Sequence, residues 1–139
     1  MKKVYPVIFT QTQNGFLIEV PDFNILTEGT NLENAIAMAR DAISITVVSM
    51  EEGGESVPEA STIDKVDVTT GTFSGEGKGF VSMVDIDTEN YRRKIDTTPV
   101  RRNVSLPTWL NEKVNAAGIN VSRVLQEALM ERLNTNKRV

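Results

Sequence analysis

The sequence predicts an α+β protein in two parts: a small antiparallel sheet covered by one long helix, then a short strand followed by two helices. Three observations carry this. Asn14-Gly15, a strong hairpin signal, lies between two runs rich in β-branched and aromatic residues. Leu32, Ile36, Ala39, Ile43, Val47 and Met50 recur at steps of three and four, which places them on one helix face. The charge also changes sign along the chain. Through Asn90 there are 5 basic and 15 acidic residues, and from Tyr91 onward 10 basic and 4 acidic.

Val4-Tyr5-Pro6-Val7-Ile8-Phe9-Thr10 reads as the first strand and Phe16-Leu17-Ile18-Glu19-Val20 as its return. Pro21-Asp22 ends the return strand, and Ile25-Leu26-Thr27 reads as a short third one. Thr30-Asn31-Leu32-Glu33 has the form of a capping box, with the Thr hydroxyl and the Glu carboxylate satisfying free amides. The long helix follows and Gly53-Gly54 stops it. Asp64 to Val68 is expected to be a short strand, and Gly71 to Gly79 a flexible loop. Lys78 lacks the following Ser or Thr of a phosphate-cradling loop. Phe80 to Asp87 is a further strand, in which Val84 and Ile86 alternate with Asp85 and Asp87. Thr88 to Pro99 reads as a linker with a short helical start, which gives domains 1–94 and 95–139.

The second domain is the more informative. On a strand, Val100, Arg102, Val104 and Leu106 share one face and Arg101, Asn103 and Ser105 the other. Pro107 suits the first turn of a helix. Gly118 falls where a C-terminal cap belongs, and Asn120 is a good N-cap for the next helix. Val121, Val124, Leu125, Ala128, Leu129 and Leu133 give that helix an apolar face. A lone strand leaves its backbone unpaired, and the domain holds no second one. Pairing with the same strand of another copy solves this and makes a homodimer. Such a two-stranded ribbon fits the DNA major groove. Its polar face would offer Arg101, Asn103 and Ser105 to base edges. The free amides around Asn120, Val121 and Ser122 suit a phosphate. The segment from Val100 to Leu133 resembles the ribbon-helix-helix repressors. That resemblance implies base contacts from Arg101, Asn103 and Ser105, and phosphate contacts from Arg102 and from Asn120, Val121, Ser122 and Arg123.

Composition narrows the chemistry. The 139 residues are 40% hydrophobic, with no cysteine and no histidine. There is thus no disulfide framework or thiolate metal site, and the usual general base near neutral pH is missing. No apolar run approaches the roughly 18–20 residues of a membrane helix, and the start lacks a signal peptide's pattern. The expectation is a cytoplasmic protein that is not an enzyme and needs no cofactor or metal. An acidic body with a basic tail points to two partners of opposite charge.

The whole chain resembles the HicB antitoxins. The residues that carry this are Tyr5-Pro6-Val7-Ile8, Gly15-Phe16-Leu17-Ile18-Glu19-Val20-Pro21-Asp22, Glu28-Gly29-Thr30, Glu33-Asn34-Ala35 and Arg40-Asp41-Ala42-Ile43. Ser56-Val57-Pro58-Glu59-Ala60-Ser61 and the run from Asn120 to Leu129 complete the set. Phe23 to Leu26 and the long stretch from Thr62 to Gly79 depart from the family's usual form. The resemblance implies a reduced ribonuclease-H-like front domain that binds and blocks a HicA-type toxin, a small basic RNA-cleaving protein. It also implies repression of the chain's own operon through operator DNA. Which residues touch the toxin, and whether front domains pair into a tetramer, stay open. Two other readings stand beside it. In one, a ribbon-helix-helix regulator has a front domain that senses a small ligand. In the other, Glu19, Asp22, Asp85 and Asp87 hold Mg²⁺ in a nuclease.

Overall fold

A computed structural model describes residues 1–135, which divide into two compact units, Met1–Ile95 and the residues from Asp96 onward. The first unit is a four-stranded antiparallel sheet. Strands β1 (Lys2–Thr12) and β2 (Gly15–Val20) form the hairpin, with Thr12 opposite Gly15. The loop is therefore Gln13-Asn14, one residue earlier than the Asn-Gly pair suggests, and Gly15 opens the return strand with φ +136°. A 3₁₀ turn at Pro21–Phe23 leads to β3 (Ile25–Gly29), longer than the expected strand. After helix α1 (Leu32–Glu52), strand β4 (Lys78–Asp87) returns beside β1, so the sheet order is β3-β2-β1-β4.

Period-two alternation puts Tyr5, Val7 and Phe9 on one sheet face with Phe16, Ile18 and Val20 of β2 and Val84 and Ile86 of β4. Helix α1 covers that face through Ala35, Ala39, Ile43 and Val47, all fully buried. Each buried Val or Ile contributes about 1.5–3 kcal/mol relative to exposure. The buried face departs from the expected one at its start. Leu32, the first helical residue, stays exposed, and Ala35 one turn on is the first buried residue of the helix. Ser44 and Val48 are also buried, on the side of α1 where helix α2 (Thr88–Ile95) packs.

The N-terminal cap corrects the Thr30/Glu33 box. Asn31 is the N-cap, its side chain accepting from the Asn34 N–H at 2.8 Å, while Asn34 Oδ1 accepts from the Thr30 N–H at 2.8 Å. The reciprocal logic survives, one residue later, because the residue just before the first helical one must supply the cap.

The second sheet face has cover of its own. Ile8 is 4% exposed, and Gly71 lies so close that a Cβ there would stand 3.2 Å from Ile8 Cδ1. The cover is the long connection between α1 and β4. The strand expected at Asp64–Val68 is not formed. Two 3₁₀ turns, Ile63–Lys65 and Val68–Thr70, stand there. Asp67 explains the difference, since its carboxylate accepts from the Thr69 N–H at 2.9 Å and the Thr69 hydroxyl at 2.7 Å. Such a local side-chain bond closes a turn and competes with a ladder.

The second unit contains α3 (Thr108–Ala117) and α4 (Val121–Arg132). The strand expected over Val100–Leu106 is not assigned, and residues 96–107 are irregular in the single chain. A β-ladder needs two strands and this unit supplies one extended segment. Pro107 is the N-cap of α3 and not its first helical residue. Its ψ of 144° is extended, and its carbonyl accepts from the Leu110 and Asn111 amides at 3.1 and 3.0 Å.

Candidate functional site

In the unit from Asp96 onward, the two helices bury no residue. Val100 is 90% exposed, Trp109 61% and Val124 and Leu129 just over half. Val104 and Leu106 are exposed as well. Arg101, Arg102, Asn103 and Ser105 lie exposed in the same stretch. Both faces of the expected strand are therefore open in the single chain.

The turn between the helices is closed from within. Gly118 takes φ +64°, a left-handed conformation that costs glycine little. Its N–H donates to Asn115, and that of Ile119 to Val114, each at 3.2 Å. This is the Schellman arrangement, and it turns the chain directly into α4. Asn120 caps that helix, Oδ1 accepting from the Arg123 N–H at 3.1 Å. The Arg123 amide is thus already committed, and its guanidinium pairs with Glu127 at 3.3 Å. The amides of Val121 and Ser122, on the first turn, have no acceptor among the described residues. These two are the donors left for an anion.

The four carboxylates weighed for a cation do other work. Glu19 accepts from the Thr72 N–H at 2.9 Å and its hydroxyl at 2.8 Å. Asp22 accepts from the N–H and hydroxyl of Ser61. Together they fasten the long connection to the sheet. Asp87 accepts from the Asn90 N–H at 3.1 Å near the start of α2. Asp85 meets Arg40 at 2.9 Å. Among the described residues no group of three His, Cys, Asp or Glu side chains could hold a metal ion.

Three side chains carry roles that sequence reasoning missed. Arg40 reaches from α1 to the outer edge of the sheet and donates to both the carbonyl and the carboxylate of Asp85. It occupies a backbone acceptor on a strand that, among the described residues, lies at the edge of the sheet beside β1. The Arg40 hydrogen bond, with its charge, holds the Asp85 carboxyl below its usual range. Tyr5 donates to the Pro58 carbonyl at 2.9 Å, and burial, then Glu59 and Asp22, push its phenol up. Arg92, in the stretch expected to be a linker with a short helical start, sits on α2 and pairs with Glu51 at 3.8 Å and Glu52 at 3.3 Å on α1. Burial, then the Asp41 charge and its hydrogen bond, raise the Tyr91 phenol. Acidic residues on the last turn of α1, facing a basic triplet downstream, were the available signal for α2. No helix among the described residues is long and apolar enough to cross a membrane.

A family model described as the HicB-like antitoxin of bacterial toxin-antitoxin systems matches residues 5–130. The chain belongs to the HicB-like antitoxin family. It is similar in fold to a chain of a toxin-antitoxin complex from Streptococcus pneumoniae, with a TM-score of 0.61 at 23% identity, over 95% of this chain and 99% of that one. It is also similar to the antitoxin HicB of Burkholderia pseudomallei, with a TM-score of 0.50 at 26% identity, over 96% of this chain and 98% of that one. A protein of Haemophilus phage HP1, described as an uncharacterized 14.9 kDa protein of the rep-hol intergenic region, is 25% identical over 114 residues. That match spans 81% of this chain and 79% of the phage protein. The family match runs through both units of this HicB-like chain, so the acidic sheet body and the exposed helical pair are parts of one antitoxin.

Proposed function

We propose that the chain is the antitoxin of a type II pair, working in the cytoplasm with two separable activities. The front unit, a reduced ribonuclease-H-like body whose carboxylates serve its own structure, binds and inhibits a small basic HicA-type toxin. The second unit dimerises as a ribbon-helix-helix module and represses the operon by binding operator DNA. The family match supports the first activity, as does the solved neighbour from a toxin-antitoxin complex. The net −10 through Asn90 agrees, since opposite charge speeds association with a basic partner.

The observation that carries the second activity is the unburied apolar surface beyond Asp96. Val100, Val104, Leu106, Trp109, Val124 and Leu129 are exposed together in a unit whose helices bury nothing. Strand pairing with a second copy covers those groups and satisfies the backbone of residues 100–106 in one step. The ribbon's other face then presents Arg101, Asn103 and Ser105 to bases. Arg102, Asn120, Val121, Ser122 and Arg123 face phosphates, with the amide of Arg123 held by its cap and only its side chain available.

Operator binding tests this. Arg101→Ala and Asn103→Ala should each weaken binding by about 1–3 kcal/mol and relax base preference, and affinity should fall steeply with salt. An equal loss on random DNA would reassign the residue to phosphate. Unchanged affinity in both variants would remove the ribbon from the DNA interface.

A further inference from the structure

We propose that Asn14 is a site of spontaneous deamidation, at which the hairpin tip converts to aspartate and isoaspartate without an enzyme. Asn14 is exposed in the two-residue loop between Thr12 and Gly15. Its backbone N–H donates to Thr12 Oγ1 at 3.2 Å, while its carboxamide has no partner among the described residues. The carboxamides of Asn31, Asn34 and Asn120 are instead committed to helix caps. In this sequence Asn14 is also the one asparagine followed by glycine.

The reaction needs only the chain and water. The Gly15 amide nitrogen attacks the Asn14 side-chain carbonyl carbon. A carbon–nitrogen bond forms to close a succinimide, the bond to the side-chain nitrogen breaks, and that nitrogen leaves as ammonia with the proton from the Gly15 amide. Water then adds to either ring carbonyl and opens it. One product is aspartate. The other, isoaspartate, carries the main chain through the former side chain. Asparagine is thermolabile for this reason, and a residue without a Cβ leaves the attacking nitrogen unhindered.

The fold holds that glycine in place. Gly15 has φ +136°, and a Cβ there would run into the Gly29 carbonyl of the neighbouring strand. The missing side chain that lets β2 pass β3 is the one that opens the nitrogen to attack. A larger residue at position 15 would protect Asn14 only by breaking the sheet. Isoaspartate lengthens the backbone of a loop closed by the Thr12 hydroxyl on the Gly15 carbonyl at 3.2 Å, and either product adds a negative charge to the acidic body.

The full chain is incubated in warm, mildly alkaline buffer and mapped by peptide mass spectrometry, with isoaspartate labelled by an isoaspartyl methyltransferase. Conversion is expected at Asn14 well ahead of Asn34 and Asn115, which precede alanine. Asn14→Gln, an exchange at an exposed tip, should fold and lose the label, because glutamine must close a larger and slower ring. An intact Asn14 in the folded chain, with conversion only in urea, would overturn the proposal. A label that persists in Asn14→Gln would do the same.

Discussion

Asp85 shows how a single exposed residue can matter through its backbone as much as its charge. It lies on the outer strand, where Arg40 takes its carbonyl at 3.0 Å and its carboxylate at 2.9 Å. The carboxyl is held below its usual range by that hydrogen bond first and by the guanidinium charge second. A carboxyl with a depressed folded pKa adds stability that is present above its unfolded pKa and lost as pH falls through the folded one. The Arg40→Met variant should therefore be less stable than the parent at neutral pH. The gap should close as pH drops below the ordinary carboxylate range, in unfolding midpoints measured across pH. The effect is modest, since both side chains are solvated. A gap that persists at low pH would mean that Arg40 acts through packing on the strand edge.

At the scale of elements, legibility followed where each element finds its stabilisation. Helix α1 was plain in the sequence because its apolar face repeats over 21 residues and packs on a sheet of its own unit. Strands β1, β2 and β4 were plain because period-two alternation matches a half-buried sheet. Asp64–Val68 looked like a strand by composition, yet Asp67 and Thr69 close a local turn that no periodicity reveals. Helix α2 was legible only as a short helical start to a linker, because its stretch is polar and it pairs with Glu51 and Glu52 through Arg92 without an apolar stripe to mark it. The carboxylates of Glu19 and Asp22 were visible as acids, but their partners Thr72 and Ser61 stand far along the chain. Val100–Leu106 is the opposite case, a strand pattern with no strand in the single chain, because a β-ladder needs a second strand, which under the proposed function another copy would supply. Val104→Asp places a charge on the face that a paired ribbon buries. It should convert a dimer to monomer in sedimentation while leaving the front unit's unfolding transition unchanged. A dimer of undiminished stability would place the contact elsewhere.

The whole molecule joins a unit with a complete core to one without. Met1–Ile95 buries its own apolar face and has net acidic charge, whereas the residues from Asp96 onward expose theirs and carry net basic charge. Under the proposed function, the first would meet its partner with a surface that is already folded, and the second would assemble with another copy before acting. The family match spans both units, which agrees with the proposal of one surface for a toxin and another for operator DNA.

The measurement that tests this account most directly is co-purification of the untagged chain with a tagged copy of the small basic protein encoded beside it, followed by an RNA-cleavage assay. The account predicts a stable complex that suppresses cleavage, and retention of that complex by Val104→Asp, since the front unit does the binding. Absence of any complex, or a complex that leaves cleavage untouched, would contradict the antitoxin assignment of the front unit and turn attention to a small-molecule ligand for it.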